Sequence, residues 1–324
     1  AGYDYAAVEV SSFQRKLNGE GIRHNLHALR VLSSSGRQAR AILREFKPDL
    51  VVGTGGYASY PMVKAAAKAG IPTAVHESNM VPGLTTRMLE DFADVIMVGF
   101  EDCRKHYKHP ERIAVTGTPV RGDFFRLRRE EARKKLGFDD EAPLVVSFWG
   151  SLGASHMNEC MVDFFRREDS EGYPFRHIHA VGKGGWDTME QELRRWGLPK
   201  SPRLDVRQYI YDMDVVMAAA DVVLCRAGAS TISELTALGK PTVMVPSPYV
   251  TNNHQEKNAR LLESHGGAVV ITEADATGDG LYDAVAGILS HSERRRAMAD
   301  AMGQLGIPDA TARIYDTVTA LVRK

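Results

Sequence analysis

The chain has few cysteines, no excess of either charge and no long apolar run. Its three cysteines, Cys103, Cys160 and Cys225, share no C-x-x-C spacing and suggest a reducing compartment rather than a disulfide framework. Lysine plus arginine and aspartate plus glutamate both number 41, so no net field attracts nucleic acid, and we expect no nucleic-acid partner. No apolar run approaches the roughly 20 residues that span a bilayer.

No signal peptide is recognisable in the sequence, and the first residue, Ala1, is not an initiator methionine, so we expect the start to be trimmed. The 324 residues suffice for two domains with ample cores. Hydrophobic residues make up 44% and charged residues 25% of the chain, which is ordinary for a globular protein. We therefore expect a cytosolic protein of two domains.

The stretch from Ala220 to Leu235 passes from an apolar run through a glycine turn into a helical pattern. Residues Val222 to Leu224 have the length and branching of a buried parallel strand, and the turn at Gly228 precedes a helical pattern from Ile232. A strand that turns through glycine into a helix aims unpaired backbone N–H groups and the positive end of the helix dipole at one point. This arrangement predicts a phosphate or pyrophosphate site.

Glu234 lies about one helical turn beyond this glycine, where a carboxylate can pair with the two vicinal hydroxyls of a ribose. The alternative is that Thr231, Ile232, Ser233 and Glu234 form a capping box, in which Glu234 only satisfies the first turn of its own helix. The stretch by itself leaves both interpretations open.

A helical pattern with a basic polar face runs from Ile22 to Phe46. Its apolar face is formed by Leu26, Leu29, Leu32, Ala39, Ile42 and Leu43, and its polar face carries Arg23, Arg30, Arg37, Arg40 and Arg44. A basic amphipathic helix can lie on an anionic membrane surface, and we expect this partner for the helix around Ile22–Arg44. The alternative is a solvated helix packed on a sheet.

Strand and helix patterns alternate along the first half of the chain. The predicted strands are Ala7–Val10, Leu50–Val52, Thr73–Val75, Val95–Val98 and Ile113–Val115, and the predicted helices between them are Pro61–Ala69 and Thr85–Phe92. This alternation predicts a parallel α/β sheet, whose ligands bind at the carboxyl ends of the strands. The turn Gly53–Gly56 falls at such an end and forms either an anion nest or a plain tight turn. The polar cluster His76–Asn79 falls at another.

A second sheet follows the hinge, which we place close to Pro119. Its first strand, Leu144–Phe148, leads into the turn Gly150–Ala154 and a helix, so two helix N-termini can converge on one pyrophosphate. The later predicted strands are His177–Val181, Leu204–Val206, Val222–Leu224, Thr242–Val245 and Ala268–Ile271. A last helix over Asp309–Val322 is predicted to cross back to the first domain.

Two polar segments of the second half have competing interpretations. Asp212 and Asp214 have the spacing of the acidic triplet that many sugar transferases use for a divalent metal, but they also open a helical pattern, where aspartates favour the dipole. We prefer the second interpretation and expect no metal and no other cofactor. His254 and Gln255 lie near a helix start and suit a polyhydroxylated ligand, the alternative being N-capping by Asn252 or Asn253.

Six short sequence motifs occur along the chain in the same order as in one known family. They are Gly53-Thr54-Gly55-Gly56-Tyr57, His76-Glu77-Ser78-Asn79, Gly117-Thr118-Pro119-Val120-Arg121, Gly150-Ser151-Leu152-Gly153-Ala154, Cys225-Arg226-Ala227-Gly228 with Glu234, and Asn253-His254-Gln255-Glu256-Lys257-Asn258-Ala259. Two glycine-turn α/β domains resemble the GT-B glycosyltransferases, and these motifs resemble the MurG family of peptidoglycan N-acetylglucosaminyltransferases over essentially the whole chain.

The resemblance implies an α/β GT-B fold, in which two Rossmann-like parallel-sheet domains face a cleft. Residues 1–120, with helix 307–324 crossing back, would form the acceptor- and membrane-facing domain, and residues 121–306 the domain for the UDP-sugar. The implied enzyme moves N-acetylglucosamine from UDP-GlcNAc to the C4 hydroxyl of the N-acetylmuramic acid in lipid I, with inversion. Its implied place is the cytoplasmic face of the bacterial cell membrane, as a peripheral protein.

The resemblance also implies site residues. For UDP-GlcNAc they are Arg121, Ser151, Ile210, Gly228, Ala229, Ser230, Thr231, Glu234, His254 and Gln255. Within this set Glu234 would bind the ribose, the Ile210 backbone the uracil, Ser151 and the Gly228–Thr231 turn the diphosphate, and His254 and Gln255 the sugar. The residues that would face the lipid-linked acceptor are Tyr57, Ser59, Glu77 and Asn79.

The sequence departs from the family pattern at its start. The family begins with a strand and a glycine-rich loop containing a histidine, ahead of anything that matches Ala1, so the N-terminal domain is expected to be truncated. The resemblance places the general base in that loop, so no catalytic residue is named here. The alternatives are a lipid glucosyl- or galactosyltransferase of the same superfamily and a UDP-sugar-binding fragment without catalysis.

Overall fold

The computed structural model describes residues 2–10 and 19–323, while the side chains of residues 19–30, 32 and 33 lie outside that description. The chain forms two compact units, one comprising Ala1–Thr118 with Asp309–Lys324 and the other Pro119–Pro308. The predicted membrane anchors Leu26, Leu29 and Leu32, and the basic residues Arg23 and Arg30, have side chains outside the description.

The first unit is built on a parallel sheet with helices between its strands. The strands lie in the order β1 (Val51–Gly53), β2 (Thr73–Glu77), β3 (Val95–Val98) and β4 (Ile113–Val115), and the helices are α1 (Gly19–Phe46), α2 (Gly56–Lys68) and α3 (Leu84–Leu89). Short 3₁₀ turns cover Glu101–His106 and Pro110–Arg112. In the register, Val75 pairs with Gly53 on one side and with Ile96 on the other.

Helices α1 and α2 pack on each other through small side chains. Ala39 and Leu43 of α1 meet Ala65 and Ala66 of α2, and all four are buried. Alanine at the contact brings the two helix axes close and removes apolar surface from water without side-chain entropy loss. The predicted helix over Ile22–Phe46 is confirmed and begins three residues earlier, at Gly19.

Two predictions for the first unit are wrong. The segment Ala7–Val10 forms no strand, because its backbone hydrogen bonds go to side chains of α1: Gln38 accepts from the Glu9 N–H at 2.9 Å, and the Ser35 hydroxyl donates to the Glu9 carbonyl at 2.6 Å. Pro61 does not start its helix either. Helix α2 begins at Gly56, so Pro61 lies inside it, where its ring nitrogen cannot donate to the preceding turn.

The second unit contains a larger parallel sheet. Its strands lie in the order β10 (Ala268–Val270), β9 (Thr242–Met244), β8 (Val222–Cys225), β5 (Leu144–Phe148), β6 (Arg176–Ala180) and β7 (Leu204–Arg207). Its helices are α4 (Arg129–Lys135), α5 (Ser155–Ser170), α6 (Trp186–Trp196), α7 (Met213–Ala219), α8 (Ala229–Ala237), α9 (His254–Ser264), α10 (Gly278–Leu289) and α11 (Ser292–Leu305). Its 3₁₀ turns cover Gly122–Phe125 and Thr251–Asn253, whereas helix α12 (Ala310–Val322) belongs to the first unit.

The core of the second unit is aromatic on the α5 side of the sheet and encloses a polar chain. The Ser147 hydroxyl lies 2.7 Å from Nε2 of His177 and 2.6 Å from Nδ1 of His179, and Nδ1 of His177 lies 3.1 Å from both carboxylate oxygens of Glu168. All four residues are fully buried, and Phe164 and Phe165 pack edge-on against His177. Burial is tolerated because each side chain has a hydrogen-bond partner.

Within the described residues, the helices are all too short or too polar to cross a membrane. Cys103, Cys160 and Cys225 are free thiols and are buried.

Candidate functional site

The second sheet brings together the turns that follow three neighbouring strands. Strands β9, β8 and β5 lie side by side, so the turns after Met244, Cys225 and Phe148 emerge at one edge. Strand β5 continues to β6 on one side and has β8 on the other, which makes the β5–β8 gap a topological switch point. Ligands of open parallel sheets bind at such a point.

The turn after β5, Gly150–Ala154, is held by the neighbouring turn after β6. The N–H groups of Lys183 and Gly184 donate to the carbonyls of Ser151 and Leu152 at 3.2 Å each. Gly153 has a positive φ of 81°, and a side chain there would overlap the carbonyl oxygen of Val181. Glycine is therefore required at this position by both conformation and space.

Helices α5 and α8 both begin at this edge without a side-chain cap. The N-cap residues are Ala154 for α5 and Gly228 for α8, and neither offers a side-chain acceptor to the first turn. The first N–H groups of both helices are consequently left for a ligand, and the helix dipoles favour an anion. The capping-box interpretation is wrong, because α8 begins at Ala229 and Thr231 already lies inside it.

A cavity of about 760 Å³ lies between these turns. Among the predicted residues, Ser151, Gly228, Thr231 and Gln255 line it. Its volume falls within the range of small-molecule sites, roughly 300–1,000 Å³. The sequence interpretation assigned no role to several further wall residues, namely Trp149, Arg226, Tyr249 and Glu273. Two of them lie at the glycine turns themselves: Trp149 directly precedes Gly150, and Arg226 lies within Cys225–Gly228.

Glu234 occupies the second turn of α8 and is half-buried. Burial raises the pKa of its carboxyl, and the charge of Arg121 opposes that effect. Within the described residues no side chain or N–H group donates a hydrogen bond to this carboxylate. Arg121 itself is exposed and lies over the ring of Phe124, with 5.1 Å from Cζ to the ring centre. A carboxylate with open acceptor positions beside an anion site suits a hydroxyl-rich ligand.

The loop after β9 presents Gln255 to the cavity. Its Oε1 accepts a hydrogen bond from the Ser247 N–H at 2.8 Å, which fixes the amide and leaves its Nε2 as a donor. The alternative interpretation, N-capping by the Asn253 side chain, is wrong: Asn253 occupies the N-cap position of α9, but its side chain donates to Glu256 instead. His254 is the first residue of α9 and is half-buried.

The remaining residues that the sequence predicted for this unit lie at the start of α8 and in the segment that connects β7 to α7. Ala229 and Ser230 form the first turn of α8, and Ile210 is buried between β7 and α7. Asp212 pairs with Arg207, whose Nη1 lies 3.0 Å from its Oδ1, and Asp214 lies in the first turn of α7. In the part of the chain that the structure describes, no group of three or more His, Cys, Asp or Glu side chains could hold a metal ion.

In the first unit, the four predicted acceptor residues have different environments. Tyr57, in the first turn of α2, is 45% exposed, while the Ser59 hydroxyl donates to the Gly55 carbonyl. Glu77 is buried, and its carboxylate accepts hydrogen bonds from the N–H and Nδ2 of Asn79, the Gly83 N–H and the Thr86 hydroxyl. Glu77 therefore organises the loop after β2.

Comparison with known families covers both units. The model of the glycosyltransferase family 28 N-terminal domain matches residues 1–98, and that of the family 28 C-terminal domain matches residues 144–314. The second match contains the cavity and the starts of α5 and α8.

Two relatives are named UDP-N-acetylglucosamine–N-acetylmuramyl-(pentapeptide) pyrophosphoryl-undecaprenol N-acetylglucosamine transferase. The protein of Acetivibrio thermocellus is 40% identical over 321 residues, which cover 99% of this chain and 85% of the relative. That of Desulforudis audaxviator is 40% identical over 328 residues, which cover 100% of this chain and 86% of the relative.

Solved structures share the fold. MurG of Acinetobacter baumannii superposes with a TM-score of 0.73 at 25% identity, covering 90% of this chain and 79% of that one. The UDP-GlcNAc 2-epimerase of Neisseria meningitidis, bound to UDP-GlcNAc, has a TM-score of 0.65 at 14% identity, covering 90% and 81%. The predicted α/β GT-B fold class is confirmed by the two parallel-sheet units and these likenesses. The chain belongs to glycosyltransferase family 28 and is a glycosyltransferase.

Proposed function

We propose that this enzyme transfers N-acetylglucosamine from UDP-GlcNAc to the C4 hydroxyl of the N-acetylmuramic acid in lipid I, the undecaprenyl-pyrophosphoryl-linked pentapeptide sugar, to give lipid II. The names of the relatives that are 40% identical over nearly the whole chain support this pair of substrates. The observation that carries the proposal is the cavity between two uncapped helix starts, with Glu234 one turn deeper along α8.

We place the sugar donor in this cavity in one orientation. Its diphosphate would lie between Ser151 and the Gly228–Thr231 turn, where the N–H groups of two helix starts point at one anion. Glu234 would accept hydrogen bonds from the ribose hydroxyls. Arg121, whose charge already acts on Glu234, would lie near the nucleotide.

The ends of the donor would reach two loops at the same edge. The backbone of Ile210 would pair with the uracil, and His254 and Gln255 would contact the N-acetylglucosamine. Gln255 is fixed by the Ser247 N–H and keeps two amide hydrogens for the sugar hydroxyls.

The reaction breaks the bond between the anomeric carbon and the diphosphate as the acceptor hydroxyl attacks from the opposite face, which inverts that carbon. The hydroxyl gives up its proton to a general base in this step. Negative charge then develops on the leaving UDP, and the fixed N–H groups of α5 and α8 stabilise it most where it is greatest. These dipoles supply the role that a metal has in other sugar transferases. Asp212, the former metal candidate, is engaged by Arg207.

The first unit would bind the lipid-linked acceptor. Tyr57 and Ser59 lie in the first turn of α2, beside a glycine turn whose N–H groups can approach an anion. Asn79 would face the acceptor, held by Glu77. We assign Glu77 to positioning this loop, because the carboxylate is buried and its acceptor positions are occupied.

We further propose that the first unit lies on an anionic membrane surface, at the cytoplasmic face of the bacterial cell membrane. A groove of about 510 Å³ between α1 and α2 carries four cations, Arg37, Arg40, Lys64 and Lys68, over a floor of Pro61 and Ala65. No carboxylate of the described residues forms an ion pair with any of the four. Lys64 also donates a hydrogen bond to the Tyr60 hydroxyl at 2.7 Å. Cations without a carboxylate partner in a concave site attract phosphate-bearing headgroups.

The test is a transfer assay with a soluble lipid I analogue and three sugar donors, UDP-GlcNAc, UDP-glucose and UDP-galactose. We expect turnover with UDP-GlcNAc and at least tenfold slower turnover with the others. A preference for UDP-glucose or UDP-galactose would favour a different lipid glycosyltransferase. Binding of UDP-GlcNAc without any turnover would favour a UDP-sugar-binding protein that does not catalyse transfer.

A further inference from the structure

Arg226 is a buried charged residue that directly follows β8 in the sequence, ahead of α8. It precedes the Gly228 turn and is only 8% exposed. Arginine is almost never this buried unless its charge is paired. Its partners therefore show what the charge holds in place.

One guanidinium joins the residues that follow four adjacent strands. Nη1 of Arg226 forms an ion pair with Glu273, which follows β10, at 2.7 Å from Oε2, and donates a hydrogen bond to the carbonyl of Val245, directly after β9, at 3.0 Å. The ion pair has no hydrogen-bond geometry, so Oε2 of Glu273 is buried with a charge partner but no donor among the described residues. The ring of Trp149, directly after β5, lies 5.8 Å from its Cζ. Strands β10, β9, β8 and β5 are consecutive in the sheet, so the side chain ties their carboxyl ends together.

Stability alone does not account for this arrangement. Glu273 is as buried as Arg226, and a buried ion pair has a desolvation cost that an apolar pair of similar volume avoids, often with equal or greater stability. The indole N–H of Trp149 is also buried, and no described residue accepts a hydrogen bond from it. Polar groups are thus retained at a cost in one wall of the cavity, which is typical of a functional site.

We propose that the Arg226–Glu273 pair is a positioning device, which fixes the spacing between the helix starts of α5 and α8 and so aligns both with the leaving diphosphate. The proposal rests on the donor placement proposed above. The planar guanidinium, unlike a lysine ammonium, is rigid, and it places Nη1 beside both the Glu273 carboxylate and the Val245 carbonyl while its Cζ lies over the Trp149 ring. Because a displacement of about 1 Å at a reacting centre costs roughly 100-fold in rate, the pair should affect kcat and the affinity for UDP.

The main test replaces the pair with apolar side chains, Arg226→Met with Glu273→Leu. We expect a melting temperature close to that of the wild type, at least a tenfold lower kcat and weaker binding of UDP by calorimetry. A matched control is Arg129→Met with Asp221→Asn, which removes a bidentate pair at the amino ends of β5 and β8. The control should lower the melting temperature and leave kcat and UDP affinity unchanged.

A wild-type kcat and UDP affinity in the apolar double variant would overturn the proposal. Should that variant fail to fold, Arg226→Lys decides: a folded protein with reduced kcat supports positioning by the planar guanidinium, and full activity contradicts it. The UDP titration needs no acceptor. Failure of the wild type to transfer N-acetylglucosamine would therefore contradict the proposed function, whereas unchanged UDP affinity in the variants contradicts this inference.

Discussion

The carboxylate of Glu234 and the guanidinium of Arg121 interact electrostatically, and the arginine offsets part of the cost of burying that carboxylate. Burial is the larger effect, so the pKa of Glu234 is raised above its ordinary value. A raised carboxyl pKa means that the folded protein prefers the protonated form, and the ionised form is kept at a cost to stability. Such a cost is expected where a carboxylate serves a ligand.

Glu234→Gln should therefore stabilise the protein and weaken its binding of UDP-GlcNAc. The cost in stability of keeping Glu234 ionised is present above its pKa in the folded protein and vanishes below its pKa in the unfolded chain, near 4.5. The gain in melting temperature of the variant should therefore be present at pH 7 and lost near pH 4. Loss of charged hydrogen bonds to the ribose should weaken binding about 10- to 100-fold. Calorimetry and thermal melts measure both, with Glu190→Gln on α6 as the control. Unchanged affinity in Glu234→Gln would contradict the assignment.

The turn after β5 should tolerate a side chain at one glycine and not at another. Gly150 and Gly153 both have positive φ, but a side chain at Gly150 meets open space, whereas one at Gly153 overlaps the Val181 carbonyl. We expect Gly150→Ala to cost about 1–2 kcal/mol of unfolding free energy and Gly153→Ala clearly more. Urea titration measures both, and UDP affinity should fall further in Gly153→Ala. Equal costs would show that close approach of the two turns does not matter.

The groove between α1 and α2 should contribute to membrane binding beyond overall charge. We expect the enzyme to sediment with vesicles that contain anionic phospholipid and not with neutral ones. Arg40→Gln with Lys64→Gln should weaken this binding about 30-fold, at roughly 1 kcal/mol per cation. The control, Lys47→Gln with Arg87→Gln, removes two exposed cations of the first unit that lie outside both the groove and the basic face of α1. An equal loss in the control would refute a role for the groove.

The buried polar chain around Ser147 should make stability depend on pH below neutrality. Burial and the neighbouring His177 lower the pKa of His179 well below its usual 6.5. Below pH 6.5 the unfolded chain therefore takes up a proton that folded His179 does not, and stability falls by about 1.4 kcal/mol per pH unit from this group.

Urea titrations of His179→Asn between pH 7 and pH 5 should accordingly show a shallower decline than those of the wild type. The exposed His291 provides the control, since His291→Asn should leave the slope unchanged. A wild-type slope in His179→Asn would mean that the acid sensitivity arises elsewhere.

The sheet strands and the glycine turns were predictable because their signals are local. Val222–Cys225 is a short branched apolar run bounded by turn residues, and Gly150 and Gly228 follow such runs directly. These signals depend on burial and backbone conformation within a few residues of the chain. The start of α2 was missed because a proline usually marks a first turn, whereas here Gly55 and Gly56 at positive φ let the helix begin earlier.

Features that depend on distant partners were not predictable. The segment Ala7–Val10 has a strand-like pattern, but its backbone hydrogen bonds go to α1. Glu77 was interpreted as a ligand contact, and only its hydrogen bonds, three from the loop after β2 and one from Thr86 of α3, show that it organises that loop. Arg226 and Glu273 lie far apart in the sequence and meet because β8 and β10 flank β9.

The most direct measurement is a crystal structure of the protein soaked with UDP-GlcNAc. We expect density for the diphosphate within hydrogen-bond distance of Ser151 and of the N–H groups after Gly228, with the ribose hydroxyls on the Glu234 carboxylate. Density for the nucleotide away from both helix starts, or a ribose that does not reach Glu234, would contradict the placement of the donor on which the proposed function depends.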